Sequence, residues 1–289
     1  MNRLLLLLGA ALLASSLPAQ TSVWKVTRGG STLYLGGTCH VLRASDYPLP
    51  KEYDTAFAAS ATVGFETDIA RLTKPETQQR LMALGTLPPG TTLDQVLSPE
   101  AWAAAQRYCA QAGLPEANIR GFKPWFFTVL MAVVELQKLG VTREGVDLHY
   151  FKQAASAGKP VEGLEPFEEH LNYLANLGAG HESEMVLQSV EDLAGIPAMF
   201  SELLAAWKAG DLAKIDQLML KDLRDKYPAI HAELIVKRNQ AWLPAIEKML
   251  RTPEAEFILV GVGHMAGPEG LVALLKARGC TVEQLVVKN

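Results

Sequence analysis

Three residues that could carry chemistry each follow a short apolar run of the kind that forms a β-strand. They are Glu66 and two histidines, which stand in the same motif at opposite ends of the chain, Gly37-x-x-His40 and Gly261-x-x-His264. Neutral imidazole and carboxylate groups are common ligands of divalent cations, and two histidines with one carboxylate leave positions open for water. The pattern therefore predicts a metal site that activates water. The alternative is that the two histidines only make hydrogen bonds at strand ends.

The other acidic and basic residues give weaker indications of a site. Glu165 follows a strand-like run of low β propensity, and we interpret it as an ordinary carboxylate. Asp147, in a Gly-Val-Asp sequence, is interpreted as a residue that fixes the start of a helix. The remaining histidines have no second ligand at a regular spacing, and we interpret them as surface or capping residues. They are His149, His170, His181 and His231.

The elements that must position these residues are strands near the termini and helices between them. Residues 22–37 predict a hairpin, residues 61–65 predict a strand, and residues 257–287 predict a strand–helix–strand unit. Apolar residues recur every three or four positions over most of residues 71–250, which predicts helices. The aromatic cluster at residues 125–127 is interpreted as part of the core, with the lining of a substrate groove as the alternative.

We predict an α/β fold, with α+β as the alternative. Its central, mostly parallel sheet is built from residues 22–70 and 253–289, and a large helical insertion spans residues 71–250. The strands near both termini lack polar alternation, which indicates a sheet covered on both faces. In such sheets a ligand binds beyond the carboxyl ends of the strands, where the two histidines and the glutamate stand in the sequence.

The composition and charge are those of a globular protein. Of the 289 residues, 49% are hydrophobic and 20% are charged, and 27 Lys and Arg stand against 31 Asp and Glu, which gives a formal net charge of −4. A nucleic-acid-binding protein usually carries a basic surface, so this balance argues against that class. We predict that residues 20–289 form a single domain.

The N-terminal residues have the features of a secretory signal peptide. Arg3 precedes an apolar run at residues 4–13, and small and polar residues follow up to Ala19. A membrane-spanning helix needs about 20 apolar residues, so a membrane anchor is the less favoured alternative. We predict cleavage after Ala19, removal of residues 1–19, and a periplasmic or secreted protein without a stable membrane span.

The chain contains three cysteines, Cys39, Cys109 and Cys280, and this odd number permits at most one internal disulfide. Free cysteine is among the most buried residue types, so we interpret all three as small buried hydrophobic residues. A disulfide between Cys109 and Cys280 is the alternative, because an exported protein meets an oxidising compartment.

A set of motifs in a fixed order gives the chain a family resemblance. The motifs are Trp24, residues 33–40, Asp46, residues 48–50, residues 65–68, residues 145–147, residues 158–161, Leu164 with Glu165, Arg238 with Asn239, and residues 260–271. Over residues 24–287 this set resembles the TraB/GumN family. That family includes the Tiki metal-dependent peptidases and is related to erythromycin esterase and to haem-binding ChaN-like proteins.

The resemblance implies site residues and a cofactor. By position, His40 and His264 match the paired metal-binding histidines, and Glu66 matches the family glutamate, as general base or as third ligand. Arg238 with Asn239 matches a further polar motif, in which Arg238 would neutralise a developing oxyanion or clamp a substrate carboxylate. The resemblance implies a divalent metal cation, Mn or Co, with Zn as the alternative.

These observations together predict a secreted metal-dependent hydrolase. It would act as a peptidase on a peptide or a related small-molecule amide. One alternative is a protein that binds haem or another small ligand in the same crevice without catalysis. Another is a scaffold that keeps the motifs but has lost activity.

Overall fold

The computed structural model describes residues 21–287, whose strands form one sheet of six strands and one of two. The predicted signal peptide, residues 1–19, lies outside the described residues. The strands are β1 (Val23–Arg28), β2 (Ser31–Thr38), β3 (Leu42–Arg43), β4 (Thr62–Phe65), β5 (Val141–Thr142), β6 (Val161–Gly163), β7 (Glu256–Gly261) and β8 (Thr281–Gln284).

The larger sheet has the strand order β6–β4–β7–β2–β1–β8. Strands β6, β4, β7 and β2 are parallel to one another, β1 is antiparallel to β2, and β8 is antiparallel to β1. All of these strands except β1 therefore run in the same direction, which confirms the predicted mostly parallel sheet. The predicted strand–helix–strand unit near the C-terminus is present, but β2 and β1 lie between its two strands.

Helices surround the sheet and form most of residues 71–250, which confirms the α/β class. The helices are α1 (Lys51–Ala59), α2 (Ile69–Leu72), α3 (Pro75–Leu84), α4 (Leu93–Val96), α5 (Pro99–Ala112), α6 (Glu116–Ile119), α7 (Pro124–Lys138), α8 (Val146–Ala157), α9 (Phe167–Ala175), α10 (Glu182–Asp192), α11 (Ile196–Ala209), α12 (Leu212–Ile215), α13 (Lys221–Lys226), α14 (Pro228–His231), α15 (Arg238–Met249) and α16 (Leu271–Ala277). Within residues 21–287, no helix combines the length and the apolar character needed to cross a membrane.

Short segments of other helix types connect these elements. The 3-10 segments are Ala44–Asp46, Leu193–Gly195 and Val262–Met265, and the π-helical segments are Asp216–Leu220 and Ala232–Lys237. The second π-helical segment leads directly into α15. A π-helical turn changes the direction in which the following side chains point, and such turns are frequent at functional sites.

Strand β7 explains why the central strands lack polar alternation. Phe257 and Leu259 belong to the core on one face of the sheet, whereas Ile258 and Val260 belong to the core on the other face. Successive side chains of a strand point to opposite faces, so a strand covered on both faces is apolar throughout. The predicted burial of both faces is confirmed.

The insertion is not purely helical, because two of its segments return to the sheets. Strand β6 pairs with β4 at the edge of the larger sheet, and β5 pairs with β3. Helix α8 ends at Gly158, whose φ of 64° turns the chain towards β6. Helices α5, α7 and α10 bury a separate core that includes Tyr108, Phe127 and Val186. Trp125 is also buried, so the aromatic cluster is core, as predicted.

All three cysteines are buried and free, as interpreted from the sequence. Burial, and then the nearby Asp147 carboxylate, raises the pKa of the Cys39 thiol well above its usual range. A thiol must ionise to act as a nucleophile or to bind a metal. The raised pKa therefore disfavours the thiolate form of Cys39, although the residue lies next to His40.

Candidate functional site

The structure brings the two motif histidines and Glu66 to one edge of the sheet. Strands β4, β7 and β2 are adjacent and parallel, so the residues that follow them meet at their carboxyl ends. Glu66 Oε1 lies 3.9 Å from His264 Nε2 and accepts the backbone N–H of Gly261 at 2.7 Å. A Cβ atom added at Gly261 would lie 3.2 Å from both Glu66 Oε1 and His40 Nε2. The three side chains converge, and their roles as metal ligands stay predictions.

His40 is held by a carboxylate that the sequence did not assign to the site. Its side chain is 63% exposed, and its Nδ1 lies 2.8 Å from Asp147 Oδ2. The other Asp147 oxygen accepts a hydrogen bond from Thr38 Oγ1 at 2.8 Å. Attraction to Asp147 raises the pKa of His40 to about 9. Because Nδ1 donates to this carboxylate, Nε2 is left to face the site.

A close backbone contact places Asp147 beside His40. The N–H of Val146 donates to the carbonyl of Cys39 at 3.0 Å, at the start of α8. A Cβ atom added at Gly145 would lie 2.2 Å from the carbonyl atoms of His40. Only glycine allows this approach, which explains the Gly-Val-Asp motif at residues 145–147. Asp147 does lie in the first turn of a helix, as expected, and it also orients the histidine.

His264 is buried and neutral. Its Nδ1 donates to Asn239 Oδ1 at 2.8 Å, while the Asn239 amide group donates to the backbone carbonyls of His264 and Glu269 at 3.2 and 2.8 Å. These contacts fix the direction of the amide, so the His264 proton is on Nδ1. Burial lowers the pKa of His264 to about 4. The lone pair on Nε2 accepts a hydrogen bond from Arg238 Nη1 at 3.1 Å.

Arg238 connects the acidic and imidazole groups of the site. Its Nη2 donates to Glu66 Oε2 at 2.6 Å and to Glu165 Oε1 at 2.8 Å, and its Nε donates to Glu165 Oε2 at 3.0 Å. The guanidinium carbon lies 4.8 Å from the Trp242 ring centre and 5.4 Å from that of Tyr173. With the bond to His264, four of its five N–H groups are engaged. The fifth, on Nη1, has no partner among residues 21–287.

Glu66 is held in its ionised form. Burial alone would raise its pKa, but His264, Arg238 and His40 together lower it well below its usual range. Both of its oxygens already accept hydrogen bonds, from Gly261 and from Arg238. The carboxylate therefore carries a full negative charge in a buried position.

Our interpretations of Glu165 and His170 are wrong, because both side chains belong to the hydrogen-bonded cluster around Arg238, which also contains Glu66 and His264. Glu165 is only 8% exposed, and besides Arg238 it contacts His170 Nδ1 at 2.7 Å and accepts a hydrogen bond from Trp242 Nε1 at 2.9 Å. A sequence pattern does indicate this glutamate. Gly163-Leu164-Glu165 repeats the glycine–apolar–glutamate order of residues 64–66, and the two segments follow adjacent parallel strands.

The other three histidines lie outside this cluster, as expected. His149 contacts Gln153 through its Nε2 at 2.7 Å. His231 is buried in α14, so our interpretation of it as a surface or capping residue is wrong. His181 lines a different cavity. These residues provide matched controls for substitutions of the site histidines.

A cavity of about 390 Å³ opens beside the converging side chains. Its polar wall includes His40, Glu66, Asp147, His170 and Arg238, whereas the buried His264 does not line it. A volume of this size falls within the range of small-molecule and substrate pockets. The His40 side chain is therefore accessible to a ligand in this cavity.

The donor types of His40, His264 and Glu66 suit a divalent cation, although their ligand atoms do not form a group within 4.8 Å of one another. Both histidines have Nδ1 tied to a partner, Asp147 or Asn239, which is the arrangement that orients metal-binding imidazoles. Glu66 Oε1 lies 3.9 Å from His264 Nε2, and both this oxygen and His40 Nε2 lie near Gly261. Arg238 Nη1 donates a hydrogen bond to the lone pair on His264 Nε2. A cation can bind to this nitrogen only after that hydrogen bond is broken.

A second group of ligand atoms lies close by but is less suited to a cation. One atom each from Glu66, Glu165 and His170 fall within 4.8 Å of one another. The guanidinium group of Arg238 already binds both carboxylates, and its positive charge opposes a cation at that position.

Comparison with known proteins identifies the family of the chain. The sequence profile of the TraB/PrgY/gumN family matches residues 22–284. The chain is 25% identical to a protein named Metalloprotease TIKI1 of Danio rerio, over 90% of this chain and 62% of that protein. It is 23% identical to a protein named Metalloprotease TIKI homolog of Amphimedon queenslandica, over 92% of this chain and 61% of that protein.

The chain thus spans about three fifths of the length of these two relatives. No solved structure matches the chain significantly. The family profile covers almost all of the described residues, including every residue of the cluster around Arg238. The chain belongs to the TraB/PrgY/gumN family.

Proposed function

We propose that this protein is a metal-dependent hydrolase that cleaves peptides or related amides. His40, His264 and Glu66 would hold the divalent cation. The observation that carries the proposal is the convergence of two oriented imidazoles and one ionised carboxylate beside an open cavity. The relatives named metalloproteases support the same reaction class. When bound, the cation supplies Lewis-acid activation of water and of the scissile carbonyl.

Glu66 suits the role of third ligand better than that of general base. A general base is most effective when its pKa lies near the working pH. The pKa of Glu66 is well below the usual range, and both of its oxygens accept strong hydrogen bonds. Those contacts favour the anionic form at neutral pH, which is the form that binds a cation.

Arg238 would hold Glu66 in position and contact the substrate with its fifth N–H group. It lines the cavity, and four of its N–H groups are engaged with Glu66, Glu165 and His264. The remaining N–H can donate to a developing oxyanion or to a substrate carboxylate. Asn239 and Asp147 would act by orienting the two histidines.

The identity of the metal and the location of the protein are parts of the same proposal. Two imidazoles and one carboxylate are compatible with Mn, Co and Zn, and the family resemblance favours Mn or Co. Export by the N-terminal segment, with cleavage after Ala19, would deliver the protein to the periplasm or outside the cell. There it would meet its peptide or small-molecule substrate.

Metal titration and peptide cleavage, carried out in parallel, test the proposal. His40→Ala and His264→Ala should each lose tight binding of Mn²⁺, Co²⁺ or Zn²⁺ in calorimetry, and should lose metal-stimulated cleavage of a fluorogenic peptide library. His149→Ala is the matched control and should behave like the wild type, because His149 lies outside the cluster. Retained cleavage in both site variants, with wild-type circular dichroism spectra, would disprove the proposal.

Binding of haem or of another small ligand is the second candidate. It is favoured by one observation, the exposed His40 imidazole at an open cavity. An absorption spectrum of the purified protein, with and without added haem, separates the two candidates. A haem band that disappears in His40→Ala would support ligand binding, whereas an unchanged spectrum would exclude it.

A further inference from the structure

We propose that the apolar wall of the cavity is a specificity subsite for an aliphatic or aromatic side chain next to the scissile amide. This inference rests on the proposed function and names its substrate class. The wall is formed by four half-buried side chains, Ile69, Leu72, Leu148 and Leu174. They line the same cavity as the polar residues that would carry out the reaction.

Each part of the apolar wall lies close in the chain to a polar residue of the site. Helix α2, with Ile69 and Leu72, begins three residues after Glu66, and its first turn is capped by the Asp68 side chain, which accepts the Arg71 N–H at 3.1 Å. The short connection fixes the distance between the carboxylate and this apolar surface.

The other two wall residues are placed in the same way. Leu148 directly follows Asp147 in α8, and Leu174 lies four residues after His170 in α9. Residues four apart on a helix share one face, so His170 and Leu174 both point into the cavity. The apolar wall is therefore rigidly connected to the polar wall, as a specificity pocket requires.

The charged groups that line the cavity lie on its polar wall. Glu66 and Glu165 share the single positive charge of Arg238, and Asp147 pairs with His40. The apolar wall itself presents no charged group, so a charged side chain placed there would lose its hydration without gaining a partner. An aliphatic or aromatic side chain would instead remove apolar surface from water on both partners.

The test uses capped hexapeptides of one sequence, with Leu, Phe, Asp or Lys placed in turn at each position flanking the central amide. Binding to the metal-supplemented protein is measured by fluorescence anisotropy, and cleavage is measured separately by chromatography. At one flanking position, peptides with Leu or Phe should bind about 10- to 100-fold more tightly than those with Asp or Lys.

Leu174→Lys should reverse this preference at the same position and favour Asp, because it places a positive charge in the wall. The matched control is Leu177→Lys, since Leu177 lies just beyond α9 and lines a different cavity. The control should keep the wild-type preference. A preference for Leu or Phe that is unchanged in Leu174→Lys would overturn the inference. Thermal unfolding serves to check that both variants are folded.

The outcomes separate this inference from the proposed function. Cleavage without an apolar preference would overturn the subsite and leave the hydrolase proposal intact. Apolar-selective binding that Leu174→Lys reverses, without cleavage, would support the subsite and overturn the hydrolase proposal. Absence of both binding and cleavage would overturn both.

Discussion

We expect replacement of Arg238 by methionine to destabilise the protein strongly. Arg238 is 7% exposed and bonds to two carboxylates, Glu66 and Glu165, which are 7% and 8% exposed. Methionine leaves both carboxylates buried without a cation, and removing one partner of a buried ion pair costs about 3–5 kcal/mol. For a chain of this size, that loss corresponds to a fall in melting temperature of roughly 6–20 °C.

Thermal unfolding followed by circular dichroism, in the presence of a chelator, measures this effect. The control is Arg71→Met, because Arg71 pairs with Glu168 at the surface, where the two side chains are 43% and 48% exposed. A surface pair of this kind contributes about 0–1 kcal/mol. Equal melting temperatures for the two variants would refute the conclusion that Arg238 stabilises the two buried carboxylates.

A second measurement on Arg238→Met shows whether the lost charge or the lost packing of the arginine causes the destabilisation. A divalent cation can replace the missing guanidinium charge between Glu66 and Glu165, and a ligand that binds only the folded state stabilises it. Added Mn²⁺ or Co²⁺ should therefore raise the melting temperature of Arg238→Met more than that of the wild type. An equal rise in both proteins would show that lost packing, rather than unbalanced charge, causes the destabilisation.

Three further substitutions test other contacts of the fold and the site. Asp147→Asn should weaken divalent-cation binding about 10- to 100-fold in calorimetry, because the carboxylate orients His40, which we propose as a metal ligand; unchanged affinity would contradict this. Gly145→Ala should melt well below Gly121→Ala, since its Cβ would lie 2.2 Å from a backbone carbonyl, whereas a Cβ at Gly121 meets nothing within 4 Å; similar melting temperatures would exclude the predicted clash. Burial alone would raise the pKa of Asp46, but hydrogen bonds, first from Arg43, lower it. Its stabilisation is therefore present above about pH 4 and lost as the pH falls through its folded-state pKa. The gap in unfolding free energy between wild type and Asp46→Asn should shrink below about pH 4, and a constant gap would argue against this assignment.

The sequence predicts the central part of the sheet well because burial on both faces leaves a clear pattern there. Strand β7 is apolar at almost every position, and it carries His264 at its end. The adjacent strands β2 and β4 show similar runs before His40 and Glu66. Parallel strands place all three residues at the same edge of the sheet, and the neighbouring positions of β4, β7 and β2 bring them together.

The other residues near the site, Glu165, His170 and Asp147, leave a weaker pattern in the sequence. Strand β6 has three residues, two of them exposed, so its length and hydrophobicity indicate only weakly that Glu165 follows a sheet strand. His170 becomes a site residue only because α9 folds back over that glutamate. The contact between Asp147 and His40 spans 107 residues and depends on the packing of α8 against the first motif. Such contacts come from tertiary structure, which a single sequence does not display.

The position of β7 has a consequence for how the protein acquires its native state. This strand is encoded near residue 260, yet it is inserted between β4 and β2, which are encoded before residue 66. Until β7 has been synthesised, the two early strands have no common neighbour, and pairing over such sequence distances is slow. The centre of the sheet therefore cannot form in a nascent chain until almost the whole polypeptide has been translated. Premature termination upstream of β7 yields a product in which Glu66 and His40 are not brought together with His264.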